Sequence, residues 1–436
     1  MLEKRLLACF SLSRRFLVKY QRRKFSVAIN EKETIDVCGK KYQRDEWTNV
    51  TPKILSHVGR NLHLQEKHPL GLLKNRIVNH FYSQYIGRTG NPIFSVFDRL
   101  SPVVTVEQNF DSLLIPKNHI SRLKSDCYYI DSGHLLRAHT TAHQVELIKS
   151  GIDSYLTVGD VYRRDEIDSS HYPVFHQLDA ARLYSKHEIY KQEDISGINL
   201  FENGDETAEK QEVHTLDTAL FLQAELKACL EKLARNLFGE DAEIRWVESV
   251  FPFTHPSFEL EVLYNGNWLE LLGCGVMKQE ILANCGITDK VGWAFGIGLE
   301  RLAMRLYQIP DIRLFWSQDT GFLNQFRKAT PTSPVTYKTI SVFPQCTNDM
   351  SFWLPESTAF SPNDFYDLVR QVGGDVIEQV TLIDEFNHPK TKLTSHCYRI
   401  VYRHMQKTLT KTEVNRVHED IGSEATRLLG VKLRVV

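Results

Sequence analysis

No stretch of the 436 residues reaches the roughly 18 consecutive apolar side chains that would cross a bilayer, so no membrane partner is expected and the chain reads as soluble. Cysteine is sparse and scattered. The eight residues (Cys9, Cys38, Cys127, Cys229, Cys274, Cys285, Cys346, Cys397) form no C-x-x-C pair and no Cys/His group at zinc-ligand spacing. Neither a disulfide framework nor a zinc site is therefore expected, and the thiols should be free in a reducing compartment. Internal repeats and low-complexity tracts are missing too. What remains is ordinary globular composition, 42% hydrophobic and 25% charged, in a chain too long for one core. One large unit and one small unit fit that length.

The first 25 residues almost lack acids. Lys4, Arg5, Arg14, Arg15, Lys19, Arg22, Arg23 and Lys24 face only Glu3, with Leu, Phe and Val interspersed. That Arg-rich amphipathic makeup predicts a mitochondrial transit peptide over 1–25, a mature start near Ser26 and residence in the mitochondrial matrix. Without it the chain carries a net charge of about −8, so any binding of a polyanion must rest on locally concentrated bases.

Residues 69–86 place Leu72, Leu73, Ile77, Phe81 and Tyr85 at helical spacing behind Pro69. Residues 94–116 read as extended around Pro102. Two extended stretches between 155 and 184 flank the polar turn DEIDSSHY, predicting a hairpin with a long tip. Alternation predicts strands at 258–264 and 267–272, and 293–307 turns from a Gly-containing strand into a helix. Residues 193–212, with seven acids and one base, read as a solvated surface insertion, and 329–336 (ATPTSPVT) as a stiffened linker. Beyond it the order is strand (339–344 and 350–355), helix (361–373), strand (376–386), strand (395–404), helix (410–428), strand (431–436), a split βαβ, ferredoxin-like plan. From Lys390 onward ten bases face four acids, which suits RNA.

Two segments carry recognisable chemistry. In Val161-Tyr162-Arg163-Arg164-Asp165-Glu166 an arginine at a strand end can set its planar fork against phosphate and carboxylate together. In Gly296-Ile297-Gly298-Leu299-Glu300-Arg301 two glycines open a helix whose arginine can reach a terminal phosphate; the spacing departs from the dinucleotide-binding pattern.

Taken in order, LLRAHTTAHQ (135–144), VYRRDE with FHQLD, FPFTHP (251–256), WLELLGCG (268–275) and WAFGIGLERL (293–302) resemble the catalytic domain of the class II phenylalanyl-tRNA synthetases. The resemblance spans about 65–325, and the tail is similar to the family's small anticodon-binding domain. Both in one chain is the arrangement of the family's single-chain mitochondrial form. It implies an α+β fold: an antiparallel class II sheet with flanking helices over 26–328, and a ferredoxin-like (βαββαβ) anticodon-binding domain over 337–436. The implied activity is ATP-dependent attachment of phenylalanine to tRNA(Phe) through an adenylate, by a monomer using Mg²⁺. Carried over residue by residue, Arg163 bridges the ATP α-phosphate and the amino-acid carboxylate, and Arg301 holds the γ-phosphate. His139, Thr141, Ala142, His143 and Gln144 line the amino-acid pocket; Gln177 and Asp179, flanking Leu178, face the substrate ammonium. Ser170, His171 and Tyr172 lie over ATP, and Glu270 stands near Mg²⁺ and nucleotide. Phe251 and Phe253 meet the phenyl ring edge to face. Ala294 floors the pocket, followed by Phe295, Gly296 and Gly298. His255 stands where bacterial relatives have an acid and receives no role. Two other readings stay open: a non-catalytic RNA-binding or regulatory protein of this fold, and a ligase acting on a small molecule.

Overall fold

A computed structural model describes residues 34–190, 199–318, 320–339, 343–355, 360–404 and 407–434. The basic segment 1–25, the first acids of the 193–212 insertion and part of the expected strand at 339–344 lie outside these.

Strands of period two build a seven-stranded sheet in the large unit. They are β1 (Ser95–Phe97), β2 (Ser154–Tyr162), β3 (Val174–Ser185), β4 (Ile244–Phe251), β5 (Thr254–Tyr264), β6 (Asn267–Met277) and β7 (Lys290–Gly298), in spatial order β1-β2-β3-β7-β6-β5-β4. Only β1 runs parallel to its neighbour. One face packs Leu156, Val158, Leu178, Ala180, Phe295 and Ile297 into the main core. Against it lie helix α1 (Pro69–Gln84), with Leu70, Leu73, Ile77 and Phe81 fully buried, and α2 (Leu216–Phe238). Helix α2 was not singled out from sequence, although Leu222, Leu226, Leu230, Leu233 and Leu237 line its buried side at helical spacing.

The extended reading of 94–116 holds only for Ser95–Phe97 and for Val103–Thr105, which pairs with His134–Leu136. The chain then turns helical at Val106–Asn109, because Thr105 and Gln108 form a capping box: Gln108 N donates to Thr105 Oγ1 (3.1 Å) and Thr105 N to Gln108 Oε1 (2.8 Å). The described part of the insertion is exposed along most of its length but anchored at its end. Buried Gln211 donates to the carbonyls of His255 and Met277.

The small unit contains β8 (Cys346–Trp353), helix α4 (Pro362–Gly373), β9 (Ile377–Asn387), β10 (Thr394–Tyr402), helix α5 (Lys411–Leu429) and β11 (Lys432–Leu433); α3 (Leu299–Leu306) belongs to the large unit. Its antiparallel order, β9-β10-β8-β11, is that of the ferredoxin-like plan. The strand expected at 350–355 starts earlier, at Cys346.

The two units are locked together where β2 leaves the sheet. Arg164 forks onto Asp364 (2.8 Å) and Asp367 (2.5 Å), and Tyr128 donates its hydroxyl to Asp367 (2.7 Å). Arg370 donates to the carbonyls of Asp165 and Glu166, and Val380 N donates to Ile167 O (2.9 Å). Arg313 reaches the carbonyl of Ile377 (2.7 Å) and Lys53 pairs with Asp375 (2.8 Å). The connecting segment lies along the large unit: Ala329 is buried and Tyr337 N donates to Tyr307 O.

Candidate active site

The face of the large sheet opposite the main core is rich in small residues. Antiparallel partners share a face, so register gives its rows directly. Thr157, Asp179, Gly296 and Gly273 lie side by side across β2, β3, β7 and β6; Tyr155, Ala181, Ala294 and Gly275 form the next row; Gly159, Gln177 and Gly298 form the third. Glycine and alanine leave a trough where larger side chains would fill it. A Cβ on Gly296 would meet Asp179 Oδ1 at 2.7 Å, and one on Gly273 would meet the Phe251 ring at 2.8 Å. The result is a cavity of about 730 Å³, within the range of small-molecule sites.

Of the residues expected from sequence, the cavity is lined by His139, Thr141, Gln144, Arg163, Ser170, His171, Tyr172, Gln177, Asp179, Phe251, Phe253, Glu270, Ala294, Phe295, Gly296, Gly298 and Arg301. Three expected residues stand behind its walls. Leu178 points into the main core, as alternation between Gln177 and Asp179 requires. Ala142 packs with Val104, Phe110 and Ile115 in a satellite core. His143 is buried, its Nε2 2.9 Å from Arg137 Nη1 and its Nδ1 3.1 Å from Glu146 Oε1. Arg137 in turn pairs with buried Asp160 (2.8 Å), so this network fixes the 139–144 turn from behind. Thr140, Tyr155, Thr157, Phe175 and Glu300 also line the cavity and were not anticipated. Tyr155 and Thr157 become visible only once the register with β3 is known.

Among the described residues, the buried end holds polar atoms without a protein hydrogen-bond partner: Asp179 Oδ1, Gln177 Oε1, Thr157 Oγ1 and the Tyr155 hydroxyl. Each would cost free energy if left dry, so the group marks where a polar ligand belongs. Burial pushes the Asp179 carboxyl up to about 6, opposed by hydrogen bonds such as that from Thr141 Oγ1 (2.5 Å). Burial, then Arg163, drives His139 down to about 3, leaving it neutral.

Arg163 ends the first hairpin arm, its N–H donating to Pro173 O (3.0 Å). Its Nε donates to Ala138 O (2.7 Å) and its guanidinium lies 5.2 Å from the Phe175 ring centroid, which leaves both Nη groups without a protein partner among the described residues. Desolvation lowers its pKa, as does Arg301, so an anion here would favour its charged form. Arg301, near the start of α3, pairs with Glu270 at 3.1 Å, both side chains about half exposed. Its position is set by Glu300, which accepts from His176 N (2.7 Å) and Nδ1 (2.6 Å) and so ties α3 to β3. At the hairpin tip Asp168 accepts from the N–H groups of Ser170 and His171. Tyr172 stacks on Trp316 (5.7 Å) and shares a hydrogen bond with His57 Nε2 (2.8 Å).

The Phe251 and Phe253 rings lie parallel, 6.0 Å apart. Cys127 also borders the cavity, but burial pushes its thiol up to about 12, so it is no nucleophile. The site therefore offers acceptors at a dry end, aromatic walls, a free guanidinium fork and a second arginine at the rim. That set can hold a zwitterion with an apolar side chain next to a polyanion.

Comparison with known proteins agrees with this geometry. Residues 56–191 and 210–326 match the family described as tRNA synthetases class II core domain (F), and 341–434 match the ferredoxin-fold anticodon binding domain. The chain is 54% identical over 422 residues to the probable mitochondrial phenylalanine–tRNA ligase of Drosophila melanogaster, covering 92% of each chain. It is 55% identical over 401 residues to the mitochondrial phenylalanine–tRNA ligase of Mus musculus (92% of this chain, 89% of the other). Against the chloroplastic/mitochondrial enzyme of Arabidopsis thaliana it is 47% identical (89% and 83%). With both domains matched and relatives this similar over nearly their whole length, the chain belongs to the class II phenylalanine–tRNA ligases.

Proposed function

We propose that this cavity condenses phenylalanine with ATP and then passes the phenylalanyl group to tRNA(Phe). The observation that carries the reading is the set of unpartnered acceptors, Asp179 Oδ1 and Gln177 Oε1, in the same trough as the unengaged Arg163 fork. The ammonium would sit against Asp179 and Gln177, with the phenyl ring between Phe251, Phe253 and the small Ala294. The carboxylate oxygen attacks the α-phosphorus, the bond to the β-phosphate oxygen breaks, and pyrophosphate leaves. Arg163 holds attacking carboxylate and α-phosphate together, and Arg301 takes the γ-phosphate charge. A terminal ribose hydroxyl then attacks the adenylate carbonyl and AMP departs. No protein nucleophile is needed: positioning and charge neutralisation supply the rate. Gly298, with nothing within 4 Å of a Cβ position, leaves its part of the trough open to the nucleotide.

Class II synthetases use ATP with a divalent metal. Glu270, a half-exposed carboxylate at the rim beside Arg301, suits a hard cation bound by one carboxylate and substrate phosphates, and Mg²⁺ there would neutralise phosphate charge. The named relatives act in mitochondria, and the matrix is the site of action. With residues 1–25 as transit peptide, the boundaries are 26–328 catalytic, 329–336 connection and 337–436 anticodon-binding. The chain acts as a monomer, a reading carried over from the family resemblance and checked by sedimentation. A non-catalytic RNA-binding role is not favoured, since Arg163 and Arg301, the arginines read as phosphate-facing, are both present in the chain.

The test is ATP–pyrophosphate exchange by protein from Ser26 onward with each of the twenty amino acids. Exchange with phenylalanine, lost in Arg163→Ala, supports the reading; no exchange by folded protein with any amino acid overturns it.

A further inference from the structure

Behind the cavity wall, one buried ring touches both of the elements that face phosphate. Trp316 closes a short 3₁₀ turn, Ile312–Trp316, that follows α3. The turn is firmly held. Asp311 accepts from Arg313 N (2.9 Å) and from its guanidinium (2.7 Å). His68, whose Nδ1 accepts from Leu70 N at the start of α1, donates from Nε2 to Phe315 O (2.8 Å). Phe315 is fully buried and Trp316 nearly so.

From this base the indole reaches two ways. Toward the hairpin tip it stacks on Tyr172 (5.7 Å, 23°), and His57, bonded to the Tyr172 hydroxyl, packs against it as well (4.7 Å). Ile312 N donates to Ser169 O (2.8 Å), so the same turn holds the tip by backbone and by ring. Toward the sheet the indole stacks on His176 (5.8 Å, 27°), the fully buried β3 residue that ties Glu300, and with it the start of α3, in place. Among the described residues Trp316 is the one ring in contact with both Tyr172 and His176. Tyr172, Glu300 and Arg301 line the cavity, whereas Trp316 does not. Polar bonding does not account for the indole: its buried Nε1 has no hydrogen-bond partner among the described residues, a cost that a phenylalanine here would not bear. What it supplies is flat ring surface for two stacks.

We propose that Trp316 is a positioning residue for ATP: it sets the tip that lies over the nucleotide against the helix that carries Arg301, so that the two close on the triphosphate in one geometry. This rests on the reading of the cavity as the site of adenylate formation, and adds to it a residue that touches neither substrate. The residues read as holding phenylalanine, Asp179, Phe251, Phe253 and Ala294, share no hydrogen bond or ring contact with Trp316 among the described residues, so the effect is specific to the nucleotide.

The test is pyrophosphate exchange by the full-length chain. At saturating phenylalanine, Trp316→Leu should raise the KM for ATP by roughly 10- to 100-fold, the scale of loss that misplaced binding groups cause. The rise in Tm on adding phenylalanine alone should stay that of wild type. Trp316→Phe, which keeps a ring and gives up no hydrogen bond, should return most of the loss. Adding Tyr172→Leu to Trp316→Leu should change the ATP KM much less than Tyr172→Leu does in wild type, because the contact it breaks is already gone; a ring that merely fills the core leaves the two effects multiplying. Should leucine leave a void that prevents folding, Trp316→Met, nearer in volume, gives the same comparison. An unchanged ATP KM in the folded variant, an equal weakening toward phenylalanine, a Trp316→Phe no better than Trp316→Leu, or independent Tyr172 and Trp316 effects each overturns the positioning role and leaves the ligase reading standing. Absence of exchange by folded wild type with any amino acid overturns the ligase reading, and this role with it.

Discussion

Asp179 should trade stability for binding, and the size of the trade follows from its surroundings. Burial raises its pKa to about 6 from the ordinary aspartate value of 3.8. A carboxyl held more tightly protonated in the native state costs nothing below the lower value, loses stability as pH rises between the two, and bears the full cost above the upper one. At 1.36 kcal/mol per pKa unit, that full cost is about 3 kcal/mol at pH 8, falling to about half of that at pH 5. Asp179→Asn removes it while keeping an acceptor for Thr141. The ligand-free variant should therefore be more stable than wild type at pH 8, and the gap should shrink by about half between pH 8 and pH 5. Urea unfolding of both proteins across that range measures the gap, and exchange kinetics should show the variant's KM for phenylalanine sharply raised. An ammonium ligand supplies the charge the cavity lacks, so phenylalanine should raise the wild-type Tm more at pH 8 than at pH 5. A stability gap that is absent at pH 8, or constant with pH, would show that Asp179 is not held as a costly buried charge.

Three further outcomes are expected. Arg163→Lys keeps the charge but loses the fork, and should lower the exchange rate by about 10²- to 10³-fold, measured in steady-state exchange. Glu300→Ala strips both acceptors from buried His176 and should cost about 3–5 kcal/mol in chemical denaturation, with activity falling further because α3 no longer holds Arg301 in place. Asp367→Ala leaves Arg164, Tyr128 and Arg370 short of their shared acceptor between the units. It should speed limited proteolysis within 329–336 while leaving the isolated stability of each core near that of wild type.

Local periodicity made most of the fold readable. The helix at Pro69–Gln84, the hairpin whose first arm leads into Arg163, the strands around 254–277 and the order of the small unit all follow from apolar spacing and turn residues within short windows. Where the reading went astray, a local signal had been outweighed: β-branched Val103 and Val104 suggested a strand running on past Thr105, but the Thr105–Gln108 capping box turns the chain there. The site divides in the same way. Arg163, Asp179 and Arg301 carry their chemistry in their own motifs. Tyr155 and Thr157 do not, since their place beside Asp179 depends on the register between β2 and β3, a property of two strands that neither strand states alone. Leu178, Ala142 and His143 show the converse error. A motif names consecutive residues, but a strand sends alternate side chains to opposite faces and a tight turn buries part of itself, so only some of any such run can meet the substrate. The cavity exists because four neighbouring strands place glycine, alanine and short polar residues on one face, and that coincidence becomes visible only when the strands are paired.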